Sequence, residues 1–223
     1  WERNYGKGRF VVNNHGMCEK VTRGLTAAAY SLLQDVFAYP VINSSVFFLD
    51  DFPSPVPMGN GEYIRKYFGR DISSFYSNIW WPDMLKIAEK HGVRYTGVVI
   101  EDYSERTSGT FPRTTDTERF RYFGGLLLEK GGEIGIHGYN HMPLCPDGFD
   151  FLGKVDYETW PTANDMRSAI AELMDFTKTL FPKNTISTYV PPSNILSAEG
   201  RAMLAESFPE IRTLSGVFLK EDY

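Results

Sequence analysis

The chain has 223 residues, 42% of them hydrophobic and 23% charged, with a formal net charge of −5. That length and apolar share suit a globular protein with a substantial core, and the longest apolar runs have strand length rather than the length needed to span a membrane. The acidic balance lacks the clustered lysine and arginine that nucleic-acid phosphates reward; no basic, apolar signal sequence opens the chain, and its first residue is Trp1 rather than methionine, so the sequence reads as a processed or excised segment.

In chain order, Gly8 to Asn13 is predicted as a strand and Gly24 to Phe37 as a helix rich in alanine and leucine. Residues 1–40 form a lead-in. Residues 41–223 form the main domain. Its first strand ends on Phe47-Phe48-Leu49-Asp50-Asp51 and is closed by Phe52-Pro53. Trp81 to Gly92 reads as a helix with Met84, Ile87 and Ala88 on one face and Gly92 as its stop. Tyr95 to Ile100 is the second strand. Thr115-x-x-Glu118 is a candidate capping box opening a helix that carries Phe120, Phe123 and Leu127.

After Gly131-Gly132 comes the third strand, Glu133-Ile134-Gly135-Ile136-His137-Gly138-Tyr139-Asn140-His141. A helix from about Asn164 to Phe181 buries Met166, Ala169, Ile170, Leu173 and Leu180. Thr185 to Val190 is a fourth strand, Ser197 caps another helix, and Thr213 to Leu219 is a fifth strand. Strand-helix alternation of this kind defines an α/β class with parallel strands. Five strands fall short of a closed (β/α) barrel, which usually takes about 250 residues, so the barrel is expected to be incomplete at the C-terminus.

Two of these strands end in groups that bind metals. An apolar run leads directly into Asp50-Asp51, so at least one carboxylate starts near the core and needs a cation, hydrogen bonds or a proton. Neighbouring residues of a regular strand face opposite ways, and both acids serve one centre only if the chain bends there. Two of the four histidines, His137 and His141, stand at His-x-x-x-His spacing. Two imidazoles and one carboxylate form the mixed nitrogen and oxygen set of a transition metal, zinc foremost, with a fourth position left for water.

Tyr139, between the two histidines, is expected to contact substrate. Phe75, Tyr76, Trp80 and Trp81 are sugar-stacking platforms or, more simply, core. Asp102 and Tyr103 end the second strand on the same rim. Cys18 and Cys145 are expected to be unpaired thiols. Cys145 is not expected to act as a nucleophile, because no histidine outside the metal pair is available as its base.

At the acidic pair and the His-x-x-x-His run the chain resembles the polysaccharide deacetylases of carbohydrate esterase family four. The resemblance implies a (β/α) barrel of that type, with Asp51, His137 and His141 as metal ligands and Asp50 as the base that takes a proton from the attacking water. The family's third motif, Arg-x-Pro followed by an aromatic, has a weakened counterpart in Tyr189-Val190-Pro191-Pro192-Ser193-Asn194, with valine where arginine is expected. Pro191, Pro192 and Asn194 would then line the substrate path. A later acidic motif and a late histidine that protonates the leaving amine have no counterpart here, since His15 and His91 both precede the metal motif.

Over most of its length the wording is similar to a family of bacterial proteins, domain of unknown function 2194, notably Tyr39 to Pro55 and Trp80-Trp81-Pro82-Asp83-Met84. By resemblance to that family the lead-in is expected to be the tail of a preceding α/β domain whose own partner is absent from the chain. Together these resemblances imply a metal-dependent hydrolase that removes N-acetyl or O-acetyl groups from a polysaccharide or oligosaccharide, extracellular or in the bacterial cell envelope, with neighbouring domains in a longer parent chain. The rival from another class is a noncatalytic carbohydrate-binding module on a degenerate barrel. A phosphoester hydrolase would require cations gathered at the metal, for which Arg65, Lys66, Arg106 and Arg113 are the candidates.

Overall fold

The computed structural model describes residues 1–14, 23–33, 36, 46–53 and 61–215. They fall into two compact units, before and after residue 45. In the first, β1 (Glu2–Tyr5) and β2 (Gly8–Val11) form an antiparallel hairpin, with Glu2 opposite Val11 and Tyr5 opposite Gly8. Gly6, at φ 59°, supplies the left-handed residue of the two-residue turn. The strand expected over 8–13 therefore pairs with the chain's own first residues, which carry no apolar alternation to announce them. Helix α1 (Arg23–Ser31) is shorter than expected, and Arg9 Nη1 donates to the Leu32 carbonyl at 2.7 Å.

The second unit is a five-stranded parallel sheet whose strands lie side by side in chain order: β3 (Phe47–Phe52), β4 (Tyr95–Ile100), β5 (Glu133–Gly138), β6 (Thr188–Tyr189) and β7 (Thr213–Leu214). Sequential parallel order with helical crossovers is the arrangement of a (β/α) barrel, of which five strands are described. Strand β4 is buried at every position, as a central parallel strand covered on both faces should be. β6 is shorter than its predicted run, because only two of its residues pair with β7, Thr188 with Thr213 and Tyr189 with Leu214. Residues 216–219 of the last predicted run, like Cys18, lie outside the described residues.

Among the helices, α4 (Trp81–His91) stops at Gly92 in the left-handed conformation, as predicted. It is the end of a longer rod that starts with α3 (Ile72–Phe75) and passes through a π-helical turn, Tyr76–Trp80. A further short helix, α2 (Glu62–Phe68), has no buried residue. Helix α5 (Glu118–Glu129) buries Phe120, Phe123 and Leu127, but the expected capping box is absent. Its N-cap is Thr117, whose near-helical backbone leaves no side-chain bond across the first turn.

Helix α6 (Ala163–Leu180) is capped by Thr162, which accepts from the Asp165 amide, and buries the whole predicted stripe. Helix α7 (Ala198–Ser207) is capped by Ser197, whose hydroxyl accepts from the Gly200 amide at 2.8 Å. The core joins Phe52, Trp81, Val99, Phe123, Ile136, Trp160, Ile170 and Tyr189 into one cluster. Trp81 belongs to it, at 1% exposure, with its indole N–H donating to the Pro53 carbonyl.

Candidate metal centre

The two strands that carry the predicted ligands both depart from regular pairing at the ligand. In β3, Leu49 pairs with Gly97 and Phe52 with Val99, so one strand advances three residues while the other advances two. In β5, Ile136 pairs with Val99 but Gly138 with Ile100, which leaves His137 as the extra residue. Each is a β-bulge that re-aims a side chain. At the first, Asp51 adopts φ 52°, and the Phe52-Pro53 peptide that follows is cis. This is the bend that the Asp-Asp pair required, and it separates the two acids: Asp51 turns toward the histidines, while Asp50 stays exposed beside them.

One ligand atom from each of Asp51, His137 and His141 lies within 4.8 Å of the others. His137 Nε2 is 3.9 Å and His141 Nε2 3.7 Å from Asp51 Oδ1. That oxygen is fully enclosed and has no hydrogen-bond partner. A buried, unpaired carboxylate oxygen is costly, and a cation is the group that would satisfy it. The outer nitrogens of both rings are engaged elsewhere. His137 Nδ1 is 2.7 Å from the Val190 carbonyl, which can only accept, so Nδ1 carries the proton and Nε2 presents its lone pair to the centre. His141 Nδ1 is 3.2 Å from the Tyr157 hydroxyl, itself 2.6 Å from Ser193 Oγ.

Burial lowers the His141 pKa, against the opposing pull of the Asp51 charge. The ring is therefore neutral at pH 7, the state in which imidazole binds a metal. These donors fit a divalent transition metal.

The third segment is built differently from its arginine-bearing counterpart. Val190 acts through its backbone carbonyl, so the missing guanidinium leaves the His137 contact intact. Pro191 and Pro192 are buried, and a Cβ at residue 138 would come within 3.2 Å of Pro192 Cγ, so Pro192 seats against the turn between the two histidines. Asn194 is half-buried, at φ 58°. Tyr139 lies beneath the surface, at 1% exposure, and its hydroxyl donates to the Pro112 carbonyl at 2.6 Å. Asn140 Nδ2 donates to the carbonyls of Ser104 and Arg106. The residues inside His-x-x-x-His thus clasp the loop that follows β4.

That loop also contains two groups that sequence reasoning passed over or left without a role. Glu101 is buried, with Oε1 accepting from the Thr114 amide and Oε2 unpartnered, and burial pushes its carboxyl up to about 8. The apolar run of β4 leading straight into it was the available signal. Tyr103 stands close enough to Asp51 that, after burial, the Asp51 charge also raises its hydroxyl pKa, so it remains a neutral phenol on the rim. Arg113, one of the cations a phosphoester site would need, is instead paired with Glu172 and Asp175. Cys145 is fully buried with its thiol pushed up to about 12, which removes the thiolate a nucleophile requires.

Fold and site together define a parallel α/β domain with a two-histidine, one-aspartate cluster at the carboxyl edge of its strands. The family model DUF2194, described as an uncharacterised protein conserved in bacteria, matches residues 1–223, and the chain belongs to that family. No curated protein matches it.

Among solved structures it is similar to a CE4 family pseudoenzyme from Bacillus anthracis, at 15% identity and TM-score 0.42, over 60% of this chain and 37% of the other. It is also similar to a family 4 acetyl xylan esterase from Clostridium thermocellum in complex with cobalt, at 15% identity and TM-score 0.38, over 56% and 48%. IcaB from Ammonifex degensii shares 14% identity at TM-score 0.41, over 68% and 65%. The matched regions span less than two thirds of each of these chains. Among the described residues no helix is long and apolar enough to cross a membrane.

Proposed function

We propose that this domain is a metal-dependent hydrolase that removes N-acetyl or O-acetyl groups from a polysaccharide, with zinc as the resident ion. The observation that carries this reading is the enclosed, unpartnered Asp51 Oδ1 facing two imidazole Nε2 atoms, with His137 Nδ1 held outward by the Val190 carbonyl and His141 Nδ1 beside the Tyr157 hydroxyl. A divalent ion held by Asp51, His137 and His141 would make water nucleophilic near neutral pH and polarise the acyl oxygen. Asp50, exposed and close enough for its charge to act on His141, accepts the proton of the attacking water as general base. Tyr103 offers a neutral hydroxyl donor on the same rim, and Asn194, half-buried in the third segment, would line the substrate path.

An extracellular or cell-envelope glycan is the substrate class implied by the motif resemblance, and the acidic chain suits a neutral or cationic polymer. Residues 1–40 serve in this reading as a lead-in from a preceding α/β domain to the deacetylase-like domain that begins near residue 41.

The test is metal content by elemental mass spectrometry on the purified protein beside Asp51→Ala and His137→Ala, followed by acetate release from acetylated glycans. Near-stoichiometric transition metal that is lost in both variants is the expected result. A folded protein that takes up no metal after reconstitution refutes it.

A second reading is favoured by one observation: Val190 stands where the deacetylase motif has arginine. On that reading the domain is a noncatalytic glycan-binding module, which would bind glycan saturably and release no acetate.

A further inference from the structure

Tyr157 and Ser193 belong to none of the three motifs' ligand or base positions, yet they form a chain that ends on a proposed ligand. The Tyr157 hydroxyl sits between His141 Nδ1 at 3.2 Å and Ser193 Oγ at 2.6 Å. Two hydroxyls in series allow two proton orders. If Ser193 donates to Tyr157 and Tyr157 to Nδ1, the His141 proton sits on Nε2 and points at Asp51 Oδ1, which closes that nitrogen to a metal. If Nδ1 donates to Tyr157 and Tyr157 to Ser193, Nε2 is free. Only the second order makes His141 a ligand.

The anchor of this chain is set in an unfavourable backbone. Ser193 has φ 50° and Asn194 φ 58°, two successive left-handed residues without glycine. Such a conformation is strained and persists only where the surroundings over-determine it. In this conformation the Val190 carbonyl faces His137 while the Ser193 hydroxyl faces Tyr157. His141 is itself left-handed, at φ 56°, so its ring direction depends on contacts beyond its own backbone preference.

We infer that Tyr157, anchored by Ser193, is a positioning residue that fixes the tautomer and direction of His141, so that the segment Val190 to Ser193 orients both metal-binding imidazoles. This rests on the metal-site reading above. Tyr157 touches neither substrate nor metal in this role. It acts through the ring of His141, as Val190 acts through the ring of His137. Removing such a partner typically weakens metal affinity by about 10- to 100-fold. Because His141 is partly open to water, the lower end of that range is expected here.

The experiment compares the parent with Tyr157→Phe and Ser193→Gly. Tyr157→Phe keeps the edge contact with Phe151 and removes only the hydroxyl. Ser193→Gly removes the hydroxyl while relieving the left-handed strain, so a merely structural serine would leave a protein that unfolds no earlier and binds metal as before. Three readouts are taken: cobalt affinity by competition with a chelator, the cobalt absorption spectrum, and the 15N chemical shifts of His141.

His141 should be protonated at Nδ1 in the parent, both variants should bind cobalt roughly tenfold more weakly with an altered spectrum, and metal-free Ser193→Gly should unfold at a midpoint no lower than the parent's. Parent-like affinity in Tyr157→Phe, or cobalt bound to His141 through Nδ1, overturns the inference. A loss in Tyr157→Phe with none in Ser193→Gly overturns the anchoring by Ser193. A parent that binds no cobalt sinks the hydrolase reading itself, an outcome distinct from a parent that binds and variants that match it.

Discussion

Glu101 turns the clasp under the β4 loop into a pH-dependent element of stability. Its side chain is 4% exposed, burial is the main cause of its shift, and the neighbouring charges of Glu172 and Asp102 add to it against the Thr114 amide and Arg113. The ordinary value near 4.5 rises to about 8. The sign follows from proton counting. A folded-state pKa above the unfolded one means that the native protein holds a proton the unfolded chain has released. Stability from this group is therefore complete below pH 4.5 and is lost as pH rises through 8.

The slope is about 1.4 kcal/mol per pH unit, which over that interval amounts to roughly 4 to 5 kcal/mol. Glu101→Gln keeps an oxygen for the Thr114 amide and has nothing to titrate. Urea unfolding of the metal-free protein from pH 5 to 9 should show the variant gaining on the parent steadily, nearly all of it before pH 8.5. A difference between the two that stays flat within about 0.5 kcal/mol across the range would refute the buried neutral carboxyl.

Asp50→Asn should keep the metal and lose turnover, whereas Asp51→Asn should lose the metal; equal metal loss in both, by elemental analysis, would show that the two roles are wrongly divided. Gly200→Ala, an exchange that favours most helices, should destabilise this one by about 1–3 kcal/mol in urea unfolding, because a Cβ at 200 collides with the Leu144 carbonyl. Cys145 should resist iodoacetamide at pH 8 in the native protein and react once it is unfolded, as read by peptide mass spectrometry. Metal affinity should hold from pH 8 down through the ordinary imidazole range and fall only at lower pH, since burial keeps the His141 pKa under its ordinary 6.5 and protons compete only once that ring charges.

The strands over 47–52, 95–100 and 133–138 were legible because each is a short apolar run between turn residues, and α6 because its stripe repeats at helical spacing. The two histidines were legible from residue type and spacing, whereas the choice of Asp51 over Asp50 came from the resemblance to the deacetylase motif, since spacing alone does not divide an Asp-Asp pair. The bulges at Asp51 and His137 were not, since register is a relation between two strands and β4 stands between them. Tyr139 was expected to contact substrate because it lies between the two histidines; its hydroxyl partner, the Pro112 carbonyl, lies far away in sequence and left no local signal. The Thr115 capping box failed because a pattern of residue types does not fix where a helix starts, and Tyr157 and Ser193 gave no local signal: each is an ordinary polar residue until the fold brings it to His141.

The donors of the metal cluster come from strands that do not touch. β3 and β5 are separated by β4, and among the described residues β3 ends the sheet. An ion held by Asp51 on one side and His137 and His141 on the other would therefore be a clip across three strands, closing the long stretch of chain between them. Such a closure removes loop entropy from any state in which β3 has peeled away, and an ion that binds only the closed form adds stability that grows with its concentration over its Kd. The first strand to detach on heating should then be β3 in the metal-free protein and not in the loaded one, so that amide exchange along Phe47–Phe52 reports occupancy of the site without any substrate being known.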